Sequence, residues 1–159
     1  MDLKEILNLG NRLPSKVVSL VKEPMASKNG FLSDIFILIL NLENDEQMHL
    51  ILKTPLQPSE DEGKRIFSEA SQAVVAGELS FFEKIHPELE QIITELQLPN
   101  PLPKCYYAGD SEEGPVLILE DLSRRGLQMP SLLTDLPESS MQSILRSLAI
   151  VQVLSLIHI

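Results

Sequence analysis

Met48-His49-Leu50-Ile51-Leu52-Lys53 constrains this chain more than any other stretch. It is short, apolar and β-prone, and it ends on a lysine with Thr54-Pro55 directly behind it. Side chains alternate along a strand, so Met48, Leu50 and Leu52 share one face while His49, Ile51 and Lys53 share the other. Taken alone, a lysine closing an apolar strand is a solvated strand end. A glutamate further along changes that reading.

That glutamate is Glu78, in Ala76-Gly77-Glu78-Leu79-Ser80-Phe81-Phe82. On a helix its neighbours lie three, four and seven residues away. Those positions hold Val74, Val75, Phe81, Phe82 and Ile85, with Ser71 the polar exception. Glu78 therefore falls inside an apolar stripe. A carboxylate held on a buried face costs several kcal/mol unless it meets a cation. Lys53 is the candidate, because a helix following its strand packs across the same sheet. The alternative is a Glu78 at the edge of the stripe that reaches out to water; periodicity does not separate the two.

The charge balance narrows the partners. Thirteen basic against 23 acidic residues give a net charge of −10, which argues against nucleic acid and against docking on anionic membranes. A nucleotide remains possible where positive charge is local. Hydrophobic content of 43% is enough for a core, and 159 residues suffice for one domain plus the start of another. Cys105 has no partner cysteine, so a reducing, cytoplasmic setting is expected. Met1-Asp2-Leu3-Lys4-Glu5 opens on charges with no signal-like run behind it, and Ile35 to Leu40 is far too short to span a bilayer.

In chain order, Leu3 to Leu9 reads as a brief helix, Lys16 to Lys22 as a strand, and Asp34 to Leu42 as a second strand. Asn44-Asp45-Glu46 closes a hairpin into the Lys53 strand. Pro55 to Gly63 is a loop leading into a long helix, with Ile66, Phe67, Ala70, Val74, Phe81 and Ile85 as its expected apolar face. His86-Pro87 is expected to interrupt that helix before a second one over Glu88 to Leu96. After the prolines at 99, 101 and 103, Cys105 to Ala108 and Val116 to Leu119 pair as another hairpin. A last helix runs from about Glu138 to Val153.

Five strands with the main helix between the third and fourth make a familiar order, and here the residues resemble a family. Asn29-Gly30-Phe31-Leu32-Ser33-Asp34, Leu50-Ile51-Leu52-Lys53, Gly77-Glu78-Leu79-Ser80-Phe81-Phe82, Pro103-Lys104-Cys105-Tyr106-Tyr107-Ala108 and Leu117-Ile118-Leu119-Glu120-Asp121-Leu122 occur in family order. Across roughly residues 15–153 the chain resembles the N-terminal lobe of the ecdysteroid-kinase-like (CHK kinase-like) proteins, relatives of choline kinases and aminoglycoside phosphotransferases. The resemblance implies an α+β, protein-kinase-like N-terminal lobe: a five-stranded antiparallel sheet with a long helix between strands three and four, then a linker and the first helix of a C-terminal lobe. The divisions expected are a helical segment over 1–13, the lobe over 14–122, the linker and helix over 123–153, and a non-native tail over 154–159.

The resemblance also implies roles. Lys53 looks like the lysine that neutralises the ATP phosphates, with Glu78 holding its ammonium. Ile51 would line the adenine pocket, Asn29, Gly30 and Ser33 would belong to the phosphate-covering loop, and Leu119-Glu120-Asp121-Leu122 would form the hinge, with the backbone of Glu120 and Leu122 pairing with the adenine edge. Glu120-Asp121 read otherwise is a solvated strand end. Neither His49 nor His86 is given any chemistry. Implied partners are ATP and, in the full-length protein, a small-molecule alcohol such as an ecdysteroid.

The catalytic aspartate and the carboxylates for Mg2+ are expected in a missing C-terminal lobe, since the chain contains neither a His-x-Asp nor an Asp-Phe pair. Leu148-Ala149-Ile150-Val151-Gln152-Val153 stands in the register of the family's Leu-Ala-x-x-His-Ala helix, with glutamine where the histidine would stand and a match that fades towards its end. Leu154-Ser155-Leu156-Ile157-His158-Ile159 equals the translation of a transposon mosaic-end adapter (CTG TCT CTT ATA CAC ATC), so an adapter-derived tail is expected, with an ordinary apolar helix end as the alternative. Two function classes follow: the ATP-binding lobe of a small-molecule kinase, inactive alone, or a non-catalytic short isoform acting as a protein-interaction module.

Overall fold

Asp34–Leu42 and Gln47–Thr54 form an antiparallel hairpin at the centre of the fold. In the computed structural model, which describes residues 1–25, 33–57, 62–112, 114–127 and 136–157, these are β2 and β3. The other strands are β1 (Val17–Pro24), β4 (Cys105–Ser111) and β5 (Gly114–Glu120). Asp45 turns the hairpin at φ +62°, a left-handed conformation that aspartate tolerates, and the Leu42 N–H donates to the Glu46 carbonyl at 2.9 Å. All neighbours are antiparallel, in the order β1-β2-β3-β5-β4. The expected five-stranded antiparallel sheet is present.

Strand alternation decides what the two faces do. Leu38 and Leu40 of β2, Leu50 and Leu52 of β3, and Val116 and Ile118 of β5 project to one side and are buried together. Each such side chain contributes about 2 kcal/mol when fully removed from water. A short helix, α1 (Leu3–Leu9), closes this side with Leu7, and Tyr106 joins it from β4. Asp2 caps α1 by accepting from the Glu5 N–H at 2.8 Å, while the Glu5 carboxylate accepts from the Asp2 N–H. The other face carries Ile37, Ile39, Ile51, Lys53 and Leu119, all only partly covered. That open face is where chemistry is possible.

Between β3 and β4 the chain makes α2 (Glu62–Ser80), a π-helical turn (Phe81–Ile85) and α3 (His86–Glu95). The expected interruption at His86-Pro87 takes the form of this π-helical turn just ahead of the proline, and the second helix begins at His86 where Glu88 was expected. Proline has no N–H and its ring collides with the carbonyl four residues back. A single wide turn relieves this: the His86 N–H donates to the Phe81 carbonyl, five residues back, and the backbone stays right-handed through Ser80, Ile85 and His86. His86 itself is 1% exposed; its Nε2 lies 3.0 Å from the Pro103 carbonyl and its ring packs against Phe81 and Phe82.

The expected apolar face of the long helix is also corrected. Ile66, Phe67, Val74 and Ile85 are exposed, whereas Ser68, Ser71 and Val75 are buried. The helix is apolar on several sides, so its rotation is chosen by polar anchors. The Ser71 hydroxyl accepts from the Leu56 N–H at 2.8 Å, just beyond the end of β3. Glu78, seven residues further on, lies on the same face. After β5, a 3₁₀ turn over Leu122–Arg125 is ended by Gly126 at φ +78°, and α4 spans Glu138–Ile157. Ile150 of α4 packs near Leu89 and Ile93 of α3.

Candidate functional site

Lys53 and Glu78 meet. The Lys53 ammonium donates to both carboxylate oxygens of Glu78 at 2.6 Å, with side-chain exposures of 21% and 33%. β3 delivers the lysine to the open face of the sheet, and the anchored rotation of α2 brings the glutamate over it. A pair still this wet contributes about 1 kcal/mol or less to folding. Its consequence is orientation: the lysine's three donors are fixed in direction and remain within reach of solvent. Such an arrangement can receive a further anion.

Beside the ammonium lies an apolar floor. Ile51 stands directly opposite Ile37 on β2 and Leu119 on β5, and Lys53 stands opposite Ile35 and Leu117. Ile37, Ile51 and Leu119 are each half-buried, leaving room for a flat apolar group. Covering on the order of 100 Å2 of such surface contributes about 2.5 kcal/mol. Ser33 precedes Asp34, which faces Thr54, so it sits at the Lys53 end of the sheet. Asn29 and Gly30 lie outside the described residues.

At the other end of the floor, the chain leaving β5 is tied down. Glu120 donates its N–H to the Lys104 carbonyl at 2.8 Å, and its Oε2 accepts from the Lys104 N–H at 3.1 Å and lies 3.5 Å from Arg125 Nη1. Asp121 is 9% exposed, and its Oδ1 accepts from the N–H and the hydroxyl of Ser123, capping the 3₁₀ turn. These two acids are bound, not solvated. Leu122 is the first residue of that turn, so its N–H has no acceptor within it. The segment is thereby held as an ordered edge next to Ile51 and Leu119.

Sequence reasoning missed two residues here. Ser71 was noted only as the polar exception in a stripe, although a buried hydroxyl on a helix face is itself a signal that it has a partner. Arg124, in the turn, reaches His49 on β3, with Nη2 2.8 Å from Nδ1. No local pattern joins residues so far apart in sequence. Among the described residues, no group of three or more His, Cys, Asp or Glu side chains is placed to hold a metal ion, and no helix is long and apolar enough to cross a membrane.

Comparison with known proteins adds a family. The model of the ecdysteroid kinase-like family matches residues 27–158. No curated protein and no solved structure matches the chain. The matched span runs from the segment before β2 through α4 and contains both members of the ion pair, the Ile51 floor and the capped turn after β5. On that match, and on a five-stranded antiparallel sheet crossed by a helix that delivers an acid to the lysine of the third strand, the chain belongs to the ecdysteroid kinase-like family, a group of kinase-like phosphotransferases.

Proposed function

We propose that this chain forms the ATP-binding lobe of a small-molecule kinase that moves the γ-phosphoryl group to a hydroxyl of an ecdysteroid-like or other small alcohol. The observation that carries this reading is the bidentate 2.6 Å pairing of Lys53 with Glu78 at the edge of a half-open aliphatic floor. Lys53 neutralises phosphate charge, with Glu78 fixing its direction. Ile51 and Leu119 take the adenine face, Glu120 and Leu122 offer backbone groups to its edge, and Ser33, with Asn29 and Gly30, covers the phosphates. Residues 14–122 constitute the lobe and 123–153 the linker with the first helix beyond it. Magnesium supplies charge neutralisation on the phosphates when bound; this site offers it no carboxylate cluster among the described residues, and the reading assigns both the metal ligands and the hydroxyl-orienting aspartate to a further lobe. A cytoplasmic setting suits an ATP consumer with one buried thiol.

Amide chemical shifts of the chain titrated with millimolar Mg·ATP test this. The expected shifts cluster at Ile51, Lys53, Leu119 and Leu122. Saturating ATP that leaves those amides unmoved contradicts the reading.

One observation favours the second reading, a non-catalytic interaction module. Met141, Ile144, Leu145 and Leu148 form an i, i+3, i+4, i+7 stripe along α4, and each is about half exposed. If that stripe is the functional surface, changing Ile144 and Leu148 together to serine abolishes partner capture while Lys53→Ala leaves it intact. The kinase reading expects the reverse sensitivity in nucleotide binding.

A further inference from the structure

His49 and Arg124 join the strand that carries Lys53 to the turn that follows the hinge. The last cross-strand pair between β3 and β5 is Leu50 with Glu120, so beyond it β3 continues without β5 beside it. The chain leaving β5 turns at Asp121 and lays Arg124 over this stretch, beside a groove of about 430 Å3. A guanidinium only donates, so His49 Nδ1, 2.8 Å from Arg124 Nη2, must accept and carry no proton. The ring proton then sits on Nε2, which lies 3.2 Å from Gln47 Oε1, an acceptor. Both contacts select one neutral tautomer.

Two carboxylates and a phenol also face this groove, the carboxylates each with a partner of their own. Glu120 is engaged by Arg125 at 3.5 Å, Asp121 holds Ser123 and lies 3.8 Å from Arg124 Nε, and Tyr106 contributes a phenol that burial, reinforced by Glu120, keeps protonated. A proton on Nδ1 removes the acceptor that His49 offers Arg124 and sets imidazolium against guanidinium. Histidine as a class gains that proton between about pH 8 and 5.

We infer that His49 and Arg124 form an acid-released latch that fastens the hinge turn to β3. Its bearing on nucleotide affinity rests on the ATP-site reading above: the latched turn presents the Leu122 N–H next to the Ile51–Leu119 floor, and release lets that edge drift. The latch itself stands on geometry that needs no nucleotide. His49 and Arg124 are positioning residues.

Arginine side-chain and backbone amide spectra of the chain, recorded from about pH 8 to pH 5, across the range in which histidines change charge, provide the test. In the unmodified chain the Arg124 Nε–H and the Leu122 and Ser123 amides shift together with the His49 ring. In His49→Gln, whose amide oxygen accepts without titrating, they stay at their high-pH positions; in Arg124→Gln the turn amides sit at their low-pH positions throughout. Hinge amides that titrate identically in His49→Gln overturn the latch, since the carboxylates then drive the change. Adenosine affinity, measured on the same samples, is expected to fall several-fold on acidification in the unmodified chain and not in His49→Gln. Amides that follow His49 while adenosine affinity stays flat leave the latch standing and remove the hinge from the nucleotide site.

Discussion

Glu78 is one-third exposed, and that number sets what its removal does. A fully buried partner would leave a stranded ammonium and a large stability loss; here water reaches both groups, so Glu78→Gln is expected to cost about 1 kcal/mol or less in chemical denaturation. Its effect on ATP affinity is expected to be larger, because the lysine loses its fixed direction. Cys105 is the opposite case. Burial pushes its thiol up, only partly offset by the Arg12 guanidinium, so at neutral pH it is a protonated, poorly nucleophilic group. Alkylation by iodoacetamide in the folded chain is expected to be far slower than in denaturant; equal rates contradict the burial. Tyr106 and Tyr107 are raised as well, each chiefly by desolvation. All three groups hold their protons longer folded than unfolded. Stability is therefore full below the ordinary thiol and phenol range and falls as pH rises through roughly 8.5 to 10 and beyond, which thermal melts across that range measure.

Among the elements, the strands were legible and the long helix was only half so. Asp34–Leu42 and the Lys53 strand announce themselves by apolar runs bounded by turn residues, and the Asn44-Asp45 hairpin between them by its chemistry. The second hairpin was equally clear from Cys105 to Ala108 and Val116 to Leu119. Helix α2 defeated periodicity because Ile66, Phe67, Val74 and Val75 point in several directions, and the choice among them was made by Ser71 and Glu78 through contacts made elsewhere. Adjacent valines give the sharpest check. Val75 is fully buried and Val74 is 44% exposed. Val75→Ala is expected to cost about 2 kcal/mol of stability, and Val74→Ala about 0.5 kcal/mol or less, in urea unfolding. Equal losses would mean that the helix is rotated otherwise. Pro87 marks the junction of the two helices as expected, but a rule about ideal helices cannot see that one wide turn absorbs the missing hydrogen bond and keeps the backbone right-handed.

For the molecule as a whole, the two faces of one sheet divide the labour. One is sealed by α1 and forms the core; the other keeps Ile37, Ile51, Leu119 and Lys53 partly open. The Lys53–Glu78 pairing was readable as a possibility because an acid in an apolar stripe needs a cation, but only the folded geometry shows that Glu78 makes the pair while one-third of it stays in water. The latch between His49 and Arg124 was not readable at all, since it depends on where the chain goes after β5. With a net charge of −10, the protein repels a triphosphate at long range, so any binding rests on local cations held in place.

Comparing ATP with adenosine on Lys53→Ala tests that dependence most directly. The site predicts that adenosine binds the variant as it binds the parent, while ATP affinity drops about tenfold or more, as expected for a lost charge-assisted contact. Unchanged ATP affinity, or an equal loss for both ligands, would contradict it.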